Sequence, residues 1–104
     1  MTYLGKNVTV RKSTYSNNGN LAVILLIDTP DDECAGYDYS VVTVNLVQLP
    51  DPDMAFLDIN NYPSIVSFIE DNKLGYSLGY TVRSGFVEYP LYQFDLSKIP
   101  EDKL

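Results

Sequence analysis

Residues 8–27, VTVRKSTYSNNGNLAVILLI, contain two strands and a turn that we expect to organise the fold. Residues 8–12 alternate apolar and polar side chains, which is typical of a strand with one buried face. Residues 21–27 are continuously apolar and rich in β-branched side chains, which favours a central strand buried on both faces. The Asn18-Gly19 pair between them tolerates the positive φ angles of a tight turn, so the sequence predicts a β-hairpin.

The pairing of this hairpin and the strand that follows it can also be predicted. With Asn18 and Gly19 as the two central residues of the turn, Arg11 lies opposite Leu26. A third strand is expected over residues 39–46, because apolar and polar residues alternate there.

One helix is predicted over residues 62–73, after a segment at 49–53 in which two prolines interrupt the sheet pattern. Pro63 suits the first turn of this helix, and Gly75 suits the left-handed conformation that commonly follows a helix. The apolar spacing predicts one buried stripe, formed by Ile65, Phe68, Ile69 and Leu74.

A second hairpin is predicted over residues 76–94, with Ser84-Gly85 as its turn. A two-residue turn at this position would place Tyr80 opposite Tyr89. The apolar pattern changes phase beside Pro90, which predicts a β-bulge or an edge strand.

The order hairpin, strand, helix, hairpin indicates an α+β fold. We expect one mainly antiparallel sheet of about five strands, with one short helix packed on one face. Residues 1–104 are predicted to form a single domain with a loose C-terminal tail from about residue 97. Because the helix supplies few apolar side chains, much of the other sheet face is expected to be tyrosine-rich and exposed.

The composition argues against most catalytic and metal chemistry. The chain has no histidine, which excludes Ser-His-Asp catalysis, an imidazole base and any metal site containing histidine. The acidic stretches around Asp28 and Asp51 lack the spacing of a calcium loop. We therefore expect no catalytic residue, no metal and no cofactor, and we predict that the protein is not an enzyme.

The acidic charge is concentrated in the middle of the chain. Residues 1–27 carry three bases and no acid, residues 28–71 carry ten acids and no base, and residues 72–104 carry four of each. Such a stretch can imitate nucleic-acid phosphates towards a basic host protein, or it can simply keep loops solvated. The predicted partner-binding surface contains Asp31, Asp32, Glu33, Tyr37, Asp38 and Tyr39.

An alternative site would bind a phosphate-bearing nucleotide. Arg11 and Arg83 could hold one anion, and Tyr80 could stack on a base beside it. The competing interpretation is cross-strand packing of Tyr80 with Tyr89 and a solvated Arg83 at the hairpin end.

The sequence also indicates a location. The N-terminal residues lack the apolar stretch of a signal peptide, and a lone cysteine permits no intramolecular disulfide. The net charge of −7 disfavours direct binding to nucleic acid or to an anionic membrane. We expect a cytoplasmic protein.

Motifs along the chain resemble a small family of uncharacterised proteins from bacterial conjugative elements and phages. They are SNNGNL at 16–21, TVNL at 43–46, DINN at 58–61, FIEDN at 68–72 and RSGFVEYPLYQFDL at 83–96. The resemblance spans roughly residues 7–96 and implies a setting among accessory genes of mobile elements. Such genes often encode small acidic inhibitors of host defence, including anti-CRISPR proteins and sponges for nucleotide signals.

The resulting functional hypothesis is a non-enzymatic anti-defence or accessory protein. It would bind and occlude a host protein with a basic surface, such as a CRISPR nuclease. A nucleotide sponge and a structural or interaction domain without an anti-defence role are the alternatives.

Overall fold

The computed structural model describes residues 1–29 and 36–102, which form two antiparallel four-stranded sheets and one short helix. The α+β class is confirmed, but the prediction of one sheet of about five strands is wrong. Sheet one has the order β1-β2-β3-β4, formed by Thr2–Tyr3, Lys6–Thr14, Leu21–Thr29 and Gly36–Val41. Sheet two has the order β5-β6-β8-β7, in which β5 is Thr43–Val44, β6 is Met54–Leu57, β7 is Gly75–Ser84 and β8 is Val87–Phe94.

The first hairpin, β2–β3, forms as predicted but with a longer turn. Arg11 pairs with Ile24 instead of Leu26. The backbone N–H of Tyr15 donates to the carbonyl of Asn20, and Gly19 has a φ of +75° inside the loop they close. Because the shift is two residues, every side chain keeps its predicted face.

The predicted third strand is divided between the two sheets at Val42. Residues 36–41 pair with β3, whereas residues 43–44 pair with β6. The N–H of Val42 donates to the carbonyl of Val23 at 2.9 Å, and its carbonyl accepts from the N–H of Asp58 at 2.9 Å. Val42 is fully buried and connects the two sheets.

Strand β6 was not predicted, because it follows directly after two prolines and has only four residues. It pairs with β5 on one side and with β8 on the other. It therefore lies inside sheet two, and β7 forms the free edge beyond β8.

The second hairpin, β7–β8, turns one residue later than predicted. Ser84 pairs with Val87, so Gly85 and Phe86 form the turn. Tyr89 pairs with Val82, whereas Tyr80 was the predicted partner of Tyr89. The predicted irregularity is present, since the register shifts between residues 77 and 81. Gly79 lies within this bulge with a φ of +79°.

Helix α1 comprises Ile65–Asp71, a shorter segment than the predicted 62–73. Its buried stripe is confirmed, formed by Ile65, Phe68, Ile69 and Leu74. The left-handed position after the helix belongs to Lys73, with a φ of +54°, instead of Gly75. Gly75 begins β7, where an added Cβ would lie 2.7 Å from the carbonyl oxygen of Gln93.

The core lies between the two sheets and the helix. It includes Val10 and Leu25 from sheet one, Leu57 from sheet two and Ile69 from the helix. None of the helices in the described part of the chain has the length and apolar character needed to cross a bilayer.

The segment after Leu96, predicted to be loose, makes defined contacts as far as Asp102. Residues Leu96–Lys98 form a 3₁₀ turn, and Ile99 is 1% exposed within the core. The N–H of Lys12 donates to the carbonyl of Pro100, and the N–H of Asp102 donates to the carbonyl of Lys12. This segment therefore docks against β2.

Candidate interaction surfaces

The predicted partner-binding residues lie around the connection between β3 and β4. Asp38 pairs with Ile27 and is exposed, and the next residue, Tyr39, pairs with Leu26. Successive residues of a strand face opposite ways, so Asp38 and Tyr39 lie on opposite faces of sheet one. Outside the described residues lie Asp31, Asp32, Glu33 and the side chain of Tyr37.

Tyr39 is connected to the C-terminal segment. Its hydroxyl donates a 2.8 Å hydrogen bond to Oδ2 of Asp102, and half of the residue is exposed. This bond to a carboxylate raises the pKa of the Tyr39 hydroxyl, which stays protonated at neutral pH. The ring of Tyr39 is therefore half exposed and restrained in its orientation.

Three of the central acids serve the fold. Asp58 is buried and accepts from the N–H and the side-chain amide of Asn61 at the approach to α1. Asp53 accepts from the side-chain amide of Gln93 at 2.8 Å. Glu70 accepts from the Tyr92 hydroxyl at 2.5 Å, and burial together with this bond raises the pKa of Tyr92. These three acids therefore already have hydrogen-bond partners within the fold.

The acids beside the β3–β4 connection remain as the main concentrated charge. Residues 28–38 contain five acids and no base. In the described part of the chain, the two salt bridges are Arg83–Glu88 and Lys98–Asp95, both outside residues 28–71. Among the described residues, no salt bridge neutralises a central acid.

The residues of the alternative nucleotide site are divided between the sheets. Arg11 lies in β2, where its guanidinium donates to the carbonyl of Val10. Tyr80 lies in the bulge of β7 and is 70% exposed, and Arg83 lies near the end of that strand. Arg83 contacts Glu88 across the hairpin at 3.5 Å. The geometry therefore favours the interpretation of Arg83 as a solvated, paired residue.

An open groove of about 640 Å³ lies beside the end of α1, with Glu70, Lys73, Tyr76 and Asp95 in its lining. Glu70 is already occupied by Tyr92, and Asp95 accepts from Ser97. No group of three or more side chains in the described ranges has the arrangement to hold a metal ion. The groove therefore gives no chemical indication of a ligand.

Sequence reasoning missed an apolar surface on sheet two, although it expected an exposed, tyrosine-rich sheet face. Directly paired residues share a face, and alternate residues along a strand share it too. The face of sheet two opposite the core, called here the outer face, therefore contains Val44, Met54, Phe56, Tyr76, Val82, Ser84, Val87, Tyr89, Leu91 and Gln93. The two-residue shift in pairing leaves Val82 on the face of Val87, Tyr89 and Leu91, where the sequence placed it. What sequence reasoning lacked was β6, which adds Met54 and Phe56 to that face.

Comparison with known proteins gives one match. The family model described as a domain of unknown function, DUF4313, matches residues 9–103. No curated protein and no solved structure matches the chain. The match begins within β2 and extends to the C-terminal segment, so it covers the helix, sheet two and all of sheet one except β1 and the start of β2.

Proposed function

Because the chain belongs to the DUF4313 family, whose description leaves function open, we propose a function from the chain's own charge. The protein is a non-enzymatic accessory protein of a mobile element, and it binds and occludes a basic surface of a host protein. A nucleic-acid-binding effector such as a CRISPR nuclease is the kind of target whose basic groove suits this charge.

The observation that carries this proposal is the concentration of five acids in residues 28–38 without any base. A basic partner supplies the countercharges, and a local excess of acid accelerates encounter with it. The restrained ring of Tyr39 adds apolar contact on the face of sheet one that also carries Asp28, and aromatic side chains commonly anchor interfaces.

A pull-down from bacterial lysate tests this function when it is combined with charge reversal. Immobilised protein is expected to retain a basic host protein at low salt and to release it at high salt. The variant D31K/D32K/E33K should weaken binding of that purified host protein at least tenfold and flatten its salt dependence.

A matched control has the same change in net charge elsewhere. Asp51, Asp71 and Glu101 are exposed, so D51K/D71K/E101K should fold and retain most of the affinity. Equal binding by wild type and D31K/D32K/E33K would contradict the proposed surface. An equal loss of affinity in D31K/D32K/E33K and D51K/D71K/E101K would show that only the net charge of the protein matters.

A further inference from the structure

The outer face of sheet two is uncharged although one residue in five of the chain is charged. None of its ten residues is Asp, Glu, Lys or Arg. Phe56 is buried at 2% exposure, but Tyr76 is 60% exposed, and the aliphatic residues around them are half-buried. The surface is therefore apolar and open to contact.

The projecting part of the β7–β8 hairpin is amphipathic. The pairing of β8 with β6 ends at Leu91, so residues 78–90 pair only within the hairpin. Val82 and Tyr89 pair on the outer face, whereas Arg83 and Glu88 pair on the opposite face. The charges of this two-stranded arm, Arg83 and Glu88, therefore lie on the opposite side from Val82 and Tyr89.

An exposed sheet face in an antiparallel protein is normally polar. A contiguous apolar surface on a soluble chain commonly marks an interaction site. The arm adds Phe86 at its turn, which is fully exposed, and Tyr80 in its bulge. An isolated two-stranded ribbon has little stability of its own, so packing against a partner would stabilise it.

We propose that two copies of this chain associate symmetrically through the outer face of sheet two and its arm. Each copy carries a net charge of −7, so two copies repel over most approaches. The ten residues of the outer face bring no acid of their own into the contact, and the Asp53 carboxylate beside them is bound by the side-chain amide of Gln93 at 2.8 Å. A two-fold arrangement places this surface against itself, which is the usual symmetry of homodimers.

The area is sufficient for a reversible dimer. Tyr76 and Tyr80 are 60% and 70% exposed. At roughly 200 Å² for each ring, they offer about 260 Å² on each copy and about 520 Å² in a symmetric pair. The half-buried aliphatic residues beside them add to this area, and an interface below about 1,200 Å² in total suits a weak, reversible association.

The proposed dimer does not depend on the proposed function. Salt should affect self-association and partner binding in opposite directions. Salt screens the repulsion between two acidic chains, so self-association should strengthen as salt rises. Binding of a basic partner through residues 28–38 should weaken under the same conditions. The two proposals can therefore fail separately.

Sedimentation equilibrium of the purified chain tests the dimer over a concentration series. As protein concentration increases, the mass is expected to rise from 11.7 kDa towards twice that value. When salt is added, this rise should begin at a lower protein concentration. Val82→Lys places a charge on the outer face and should raise the dissociation constant at least tenfold. Thr81→Lys adds the same charge to the preceding residue, which lies on the opposite face. This variant should keep a dissociation constant within about twofold of the wild-type value.

Tyr76→Ser provides a second variant that the fold tolerates, since Tyr76 lies on the outer face and is 60% exposed. It should also weaken association, and its unfolding curve should match that of the wild type. A wild-type chain that stays at 11.7 kDa at millimolar concentration would overturn the proposal. Equal effects of Val82→Lys and Thr81→Lys would overturn the assignment of the face.

Discussion

Lys73 occupies the left-handed conformation that ends helix α1, a position where glycine is usual. The N–H of Leu74 donates to the carbonyl of Ile69, and the N–H of Lys73 donates to that of Glu70. These are the two bonds of a Schellman motif. The buried side chain of Leu74 holds the chain in this conformation, so the backbone strain at Lys73 is retained.

Replacing Lys73 with glycine should therefore stabilise the protein. The left-handed conformation costs a residue with a Cβ about 1–2 kcal/mol. The greater freedom of glycine in the unfolded chain offsets about 0.5–1 kcal/mol of that gain. Urea denaturation should show a rise of up to about 1 kcal/mol in the free energy of unfolding. Lys73→Ala keeps the Cβ, so an equal gain in that variant would refute the strain argument.

At the scale of elements, a group of side-chain amides fastens the β2–β3 turn to the segment after β5. Asn20 is buried, and its amide nitrogen donates to Oδ1 of Asn45 at 2.9 Å and to the carbonyl of Val47 at 2.7 Å. Its oxygen accepts from the N–H of Leu49. Asn18 also donates to Oδ1 of Asn45, so the amides link the two sheets near Val42.

Asn20→Asp removes both amide donors and places a carboxylate in a buried site. The free energy of unfolding should fall by about 2–3 kcal/mol. The carbonyl of Val47 loses its donor, and the new carboxylate is buried without a countercharge. Chemical denaturation of Asn60→Asp supplies the comparison, since Asn60 is exposed and should change by less than about 0.5 kcal/mol. Similar losses in the two variants would show that the amide group has no special role.

At the scale of the whole molecule, the C-terminal segment completes the core. Ile99 belongs to the same buried cluster as residues of both sheets and the helix. Ile99→Ala should cost about 2–5 kcal/mol of unfolding free energy, as for other buried aliphatic residues. Thermal and urea unfolding can be compared with Glu101→Ala, an exposed neighbour. An unchanged stability of Ile99→Ala would restore the expectation of a loose tail.

Elements with strong local patterns could be predicted from the sequence. The strands with which they pair, and the register of that pairing, were harder to predict. The hairpin at residues 8–27, the buried stripe of α1 and the irregularity near Pro90 all follow from periodicity and turn chemistry. Both hairpins shifted in register, because several positions near each turn satisfy the local geometry. Strand β6 was missed because four residues after two prolines contain too little pattern to recognise.

The candidate interaction surfaces divide in the same way. The acidic stretch is visible in the sequence, but the burial of Asp58 and the bonds to Asp53 and Glu70 are not. Their partners, except Asn61 beside Asp58, are distant in the chain. The members of the apolar outer face of sheet two can be identified only when the register of all four strands is known.

The α+β class, the two hairpins, the buried stripe of the helix and the segregation of charge could be predicted from residues that are close together in the chain. The division of one predicted strand between two sheets at Val42 became visible only in the folded chain. Backbone groups bond to whichever strand lies alongside them, and that strand can come from a distant part of the sequence. Val42 bonds both to Val23 and to Asp58, which no local pattern specifies. The same long-range pairing created the uncharged outer face from residues of separate strands.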